Sequence, residues 1–269
     1  MTAMPGRSDL RALPDRGEAF EGLAISGLVK RFGSLEVLDG FSVNVPRNGF
    51  TVLIGPSGCG KSTLFDVLTG VVLGDGGRIG WLGKELLNLG HSAAYMQQKD
   101  LLLPWLSLLD NALLPERVAG GTGREVVNKA QELFARLGLK GFEEYRPHEV
   151  SGGMRQRCAL VRTLMFEHEL VLLDEPLSAL DAITRMSLQS LLLMLQVEFK
   201  RTLLMITHDV EEALLVADEL VILTAAPMRI RKRITLKQPK PRRASDLELV
   251  MLKEHILKNL EGDMGSGLV

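Results

Sequence analysis

Four short segments of the chain are apolar almost throughout: Thr51 to Ile54, Leu170 to Leu173, Leu203 to Ile206 and Leu220 to Leu223. Runs of this length suit strands covered on both faces, whereas Phe41 to Val45 alternates apolar and polar residues as a half-buried strand does. Leu23 to Val29 predicts an edge strand before it, giving a hairpin-like antiparallel edge. Helical spacing covers Lys61 to Leu68, Gly152 to Glu167, Ala182 to Phe199 and Val210 to Ala217. Strands that alternate with helices predict an α/β fold around a mainly parallel sheet.

Residues 99 to 150 break that alternation: they hold no comparable strand but a helical pattern from Arg124 to Leu137, set between Gly-rich and Pro-containing turns. Beyond Ile230 the chain turns basic and Pro-rich, and Ser245-Asp-Leu-Glu248 has the capping-box pattern for a last helix ending near Glu261. The expected organisation is a flexible tail at 1–21, a sheet core at 22–98 and 165–235, a helical subdomain at 99–164, and a basic C-terminal tail and helix at 236–269.

With 46% hydrophobic residues among 269, the chain has material for a substantial core and is not disordered over most of its length. Its 32 Lys and Arg against 33 Asp and Glu argue against nucleic acid as the main partner. The segment Arg229 to Arg243 nevertheless concentrates eight basic side chains, open to a solvated edge, nucleic acid or anionic lipid. No uncharged apolar run approaches the ~20 residues needed to cross a bilayer, and residues 1–22 lack the apolar middle of a secretory signal. Cys59 and Cys158 have no metal-ligand spacing and fit a reducing compartment.

The strongest chemical signal is Gly55-Pro56-Ser57-Gly58-Cys59-Gly60-Lys61-Ser62, followed by Thr63, placed where a buried strand meets a helix. The glycines let successive N–H groups face inward, and the helix adds its positive N-terminal end, so the natural occupant is a phosphate. Lys61 suits the β- and γ-phosphates, and Ser62 offers a hydroxyl to Mg²⁺. Asp174, ending a buried strand at the carboxyl edge of the sheet, suits the metal or its water; Glu175 beside it suits polarising an attacking water, which points to hydrolysis. Cys59, inside the loop, is expected to be open to thiol reagents and shielded from them by a bound nucleoside triphosphate with its Mg²⁺.

Ser151-Gly152-Gly153-Met154-Arg155-Gln156-Arg157 then opens a predicted helix, and here the chain resembles the ATPase subunits of ABC transporters, over about residues 22 to 235. The resemblance implies a P-loop NTPase fold of RecA-like type, with an antiparallel edge and an inserted helical subdomain, and a second phosphate clamp at Ser151 to Gly153. Met154 stands where Gln is common in the family. Phe32 resembles the aromatic residue that stacks on adenine, against a core phenylalanine. Gln98 is similar to the glutamine that joins the two subdomains and meets Mg²⁺ or the attacking water, with Gln97 as its rival. Gln98 stands seven residues before Trp105, a spacing associated with the nitrate, sulfonate and taurine branch. Ser178-Ala-Leu-Asp181 looks like the D-loop, and His208 resembles the switch histidine.

In that family the phosphate loop and the Ser-Gly-Gly turn of one subunit grip different nucleotides. The resemblance therefore implies ATP between two copies in a head-to-tail homodimer. It also implies separate transmembrane permease subunits near Gln98 to Trp105, a solute-binding protein acting through them, and a peripheral place on the cytoplasmic face of the membrane. For Trp105 the alternative is an anchor packed inside its own subunit. The solute class implied is nitrate, sulfonate, taurine or a thiamine precursor. The rival readings are a soluble ABC-type ATPase of DNA repair or translation and a phosphate-loop kinase.

Overall fold

The computed structural model describes residues 21–121, 123–178 and 180–264, with side chains as far as Lys258. The tail expected at 1–21 lies outside the described residues except for Glu21, and the C-terminal segment does so after residue 264.

Strand β1 (Gly22–Phe32) pairs antiparallel with β2 (Leu35–Pro46), followed by β3 (Phe50–Ile54) and helix α1 (Lys61–Thr69). Strands β4 (Gly76–Trp81), β5 (Lys84–Leu86) and β6 (Ala93–Met96) come next, then helices α2 (Leu108–Val118), α3 (Arg124–Arg136) and α4 (Gly152–Met165). The second half runs β7 (Leu170–Asp174), α5 (Ala182–Val197), β8 (Thr202–Thr207), α6 (Val210–Val216), β9 (Glu219–Leu223), β10 (Ile230–Thr235) and α7 (Leu247–Met264).

Six strands form one sheet in the order β10-β9-β3-β8-β7-β6; all its pairings are parallel except that of β10 with β9. The remaining four form an antiparallel sheet, β2-β1-β4-β5. The apolar runs supply the parallel strands because both faces of that sheet are covered. Alternate residues of one strand enter different cores: Val171 and Leu173 face the helices, while Leu170 and Leu172 face α1 and the antiparallel sheet. The same split places Leu203 and Met205 on one side and Leu204 and Ile206 on the other.

Between β6 and β7 the chain is helical. Helix α2 packs on α3 and α4, and α4 lies against β6. Ser107 starts α2, its Oγ accepting the Asp110 N–H at 3.0 Å.

In the C-terminal segment six of the eight basic side chains from Arg229 to Arg243 are exposed, as a solvated edge implies, while Lys240 and Arg242 turn inward. Arg229 pairs with Asp39, and Arg233 with Glu219 at 3.6 Å. Lys240 pairs with Asp218 at 2.6 Å beneath the ring of Phe50, and Arg242 is buried, donating to the carbonyls of Leu214, Ala217, Leu236 and Gln238. Helix α7 then packs on α6, with Leu249 and Ile256 buried and Lys253 paired with Glu211. Basic side chains are drawn inward here because α6 ends in carbonyls that need donors and Asp218 needs a cation.

Candidate functional site

The loop Gly55 to Gly60 joins the buried strand β3 to α1. Gly60 caps the helix with φ 107°, a conformation closed to most side chains, and a Cβ there would lie 2.4 Å from Val37 Cγ1. Pro56, Ser57 and Gly58 are exposed, Gly58 with φ 76°, as are Ser62 and the face of the loop they share; Thr63 is half-buried. Lys61 is buried and its Nζ donates to the carbonyls of Gly55 at 2.8 Å and Pro56 at 2.9 Å, which holds the ammonium within the loop. Cys59 differs from the accessible thiol expected of it: it is 1% exposed within the core beside α1, and burial pushes its thiol up. Protein packing already shields it, so its contribution to the loop is its backbone.

Asp174 ends β7 and is only 2% exposed. Burial raises its carboxyl above the ordinary carboxylate range, opposed by a hydrogen bond with Ser62 and by the charge of Lys61. The next residue, Glu175, turns the chain with φ 48°. Its N–H donates to the Ile206 carbonyl at 2.9 Å, and its own carbonyl accepts from Gln156 Nε2 and from Ser178 Oγ, each at 3.0 Å.

The Glu175 carboxylate is thereby aimed at two side chains from other strands. Gln98 Nε2 donates to Oε2 at 3.2 Å, and His208 Nδ1 lies 3.2 Å from Oε1. Gln98 is the second residue after β6, Glu175 the first after β7 and His208 the first after β8, so three adjacent parallel strands deliver these side chains to one edge. The amide that reaches Glu175 is that of Gln98 rather than of its neighbour Gln97. His208 sits between Thr207 and Asp209, and Asp209 caps α6 by accepting from the N–H groups of Glu211 and Glu212.

The other sequence-selected residues lie outside this cluster. Ser151 is the exposed N-cap of α4, its Oγ accepting from Met154 N–H at 3.3 Å; Gly152 beside it is exposed and Gly153 half-buried. Asp181 caps α5 through Thr184, whose N–H and hydroxyl hold its carboxyl below the ordinary range. Phe32 is 49% exposed with Lys30 Nζ 5.1 Å from its ring centre, so it is a surface ring and not a core one. Trp105 is 66% exposed, which excludes the internal anchor.

A family model described as ABC transporter matches residues 38–178. The chain belongs to that family. This ABC ATPase is 42% identical over 207 residues to the taurine import ATP-binding protein TauB of Burkholderia thailandensis, covering 77% of this chain and 79% of that protein. It is 38% identical over 225 residues to the aliphatic sulfonates import ATP-binding protein SsuB of Bacillus licheniformis, covering 84% and 87%. Among solved structures, a nucleotide-free ATP-binding cassette from an ABC transporter superposes with TM-score 0.72 at 26% identity, over 86% of this chain and 97% of that one.

Two residues of this ABC ATPase meet the site without having been assigned a part in it from the sequence. Gln156 holds the Glu175 carbonyl, and Glu212 accepts from Thr207 Oγ1 at 2.8 Å beneath His208. The available signal for Gln156 was a polar residue on an apolar helical stripe, since Ala159, Leu160 and Thr163 follow it at three, four and seven positions, all buried.

Proposed function

We propose that this ABC ATPase energises import of a small sulfonated solute, of the taurine or alkanesulfonate kind, through separate permease subunits on whose cytoplasmic side it sits. The observation that carries the catalytic part is the meeting of Gln98, Glu175 and His208 beside Asp174 and the phosphate loop. The solute class rests on the names of the relatives, which include taurine and aliphatic sulfonate importers. Nothing among those relatives favours DNA repair or translation. Arg233, Lys240 and Arg242, three members of the basic run, are engaged within the chain.

In this reading the backbone N–H groups of Gly55 to Thr63 and the Lys61 ammonium bind the triphosphate, and Phe32 stacks on the adenine. The donor set fits Mg²⁺: Ser62 and Asp174 are hard oxygen ligands, joined by Gln98, and the raised carboxyl of Asp174 marks a buried anion short of cationic compensation. When bound, Mg²⁺ supplies neutralisation of charge on the phosphates. Glu175 accepts the proton of the attacking water, Gln98 orients that water, and His208 hydrogen-bonds the γ-phosphate. Ser151 to Gly153, exposed at the start of α4, serve as the clamp for ATP held by a second copy, with Asp181 near that seam. The dimer then closes on ATP and opens after hydrolysis, which is the movement passed to the permeases. Trp105 and its exposed neighbour Leu101 lie on the face offered to them.

Glu175→Gln keeps the shape of the side chain and removes its basicity. ATPase turnover should fall roughly hundredfold or more while MgATP binding persists; turnover near wild type removes Glu175 from this role. In vesicles carrying the permeases and binding protein, taurine or an alkanesulfonate should stimulate hydrolysis, and stimulation by nitrate alone contradicts the solute class.

A further inference from the structure

The structure assigns Gln156 as a positioning residue that fixes the backbone of Glu175 so that its carboxylate stays between Gln98 and His208. This rests on the catalytic reading of Glu175 given above. Gln156 is 5% exposed, and its amide is spent on one target, the Glu175 carbonyl at 3.0 Å. That target is a peptide in an uncommon conformation. Glu175 has φ 48°, which is disfavoured for a side chain of its size and persists only where surrounding bonds over-determine it. The Glu175 N–H is held by Ile206 and its carbonyl by Gln156 and Ser178. Of these, Gln156 alone comes from the helical subdomain.

The same helix also holds the segment that carries Gln98. Arg155 Nε pairs with Asp100 at 3.0 Å, and Arg162 donates to the carbonyls of Asp100 and Leu101 at 2.7 and 2.8 Å. Helix α4 thus grips both partners of the Gln98 to Glu175 contact, one through Arg155 and Arg162 and the other through Gln156. Its first turn is the exposed Ser151 clamp, little more than one turn of helix from Gln156. A rotation of α4 that follows ATP capture at Ser151 would move the amide on which the Glu175 backbone depends. The competence of one ATP site would then depend on occupancy of the clamp belonging to the other.

Gln156→Met keeps length and burial but removes the donor. The expected result is a roughly ten- to hundredfold fall in kcat, with the MgATP dissociation constant within about twofold of wild type and little change in melting temperature. Gln156→Lys, which restores a donor of similar reach, should recover most of the lost rate. Wild-type kcat in Gln156→Met overturns the assignment; so does a parallel loss of kcat, affinity and melting temperature without rescue by lysine, which would describe a packing residue only. Should Gln156→Met not fold, Gln156→Leu removes the same donor with a shorter apolar side chain, while the Ser178 hydroxyl and N–H still reach the carbonyl at 3.0 and 3.3 Å. It should lower kcat severalfold at unchanged affinity, and an unaltered rate overturns the assignment. A wild-type protein without ATPase activity would instead sink the catalytic reading itself, and wild-type turnover is measured first to separate the two.

Discussion

Glu175, which meets His208, and Glu212, which meets the neighbouring Thr207, differ in what surrounds them. The Glu175 side chain is 15% exposed and open to Gln98 and His208, as a base that must meet water requires. Glu212 is 4% exposed beneath Thr207, with Arg185 Nε 3.4 Å away, and burial raises its carboxyl above the ordinary range. The folded protein therefore binds a proton at Glu212 more readily than the unfolded chain does. Its contribution to stability falls as pH rises from the unfolded value through the raised folded one. Glu212→Gln abolishes that dependence, so the melting temperature of the variant minus that of wild type should increase between pH 4.5 and pH 8, whatever its starting value. A constant or shrinking difference would show that Glu212 is not a buried acid of this kind. Lys61 was legible from the phosphate-loop pattern and Asp174 and Glu175 from the buried apolar strand that they end, whereas His208 was marked only by the resemblance. The bond from Gln156 was not, because it joins positions 19 apart that only the fold brings together.

At the scale of elements, continuous apolar runs identified the central strands, and regular spacing identified α1, α3, α4, α5 and α6. Other elements gave weak or misleading patterns. Strand β4 reads Gly-Gly-Arg-Ile-Gly-Trp, too rich in glycine to look extended, and β5 has three residues. Helix α2 carries Pro115 inside it, and β10 reads Ile-Arg-Lys-Arg-Ile-Thr, a charged edge strand whose ladder with β9 supplies what its side chains do not. The C-terminal run was read by its charge, while its structural part lies in what the charges meet. Arg242 satisfies Leu214 and Ala217 at the end of α6, the helix that begins just after His208. Arg242→Met should leave those carbonyls buried without donors and cost about 2–4 kcal/mol in urea unfolding. A loss below about 0.5 kcal/mol, within the range of ordinary surface substitutions, would mean that the segment is not integral to the fold.

For the whole molecule, a sheet with two covered faces gives two cores. Its carboxyl edge gathers the phosphate loop and the residues after β6, β7 and β8 at one place. Ser151 to Gly153 end a different layer, and their bonds within the chain are those of a helix cap. The class of the fold was legible because alternation of strand and helix leaves few arrangements. The assembly was legible only through resemblance, since no pattern in one chain records the face of another. The most direct measurement is sedimentation velocity of the Glu175→Gln protein with and without MgATP. Twice the chain mass with MgATP, a single chain mass without it, and loss of the larger species on adding Ser151→Arg are the results predicted. A protein that stays monomeric with MgATP, with wild-type turnover strictly proportional to its concentration down to the lowest assayed, would contradict a nucleotide shared between two copies.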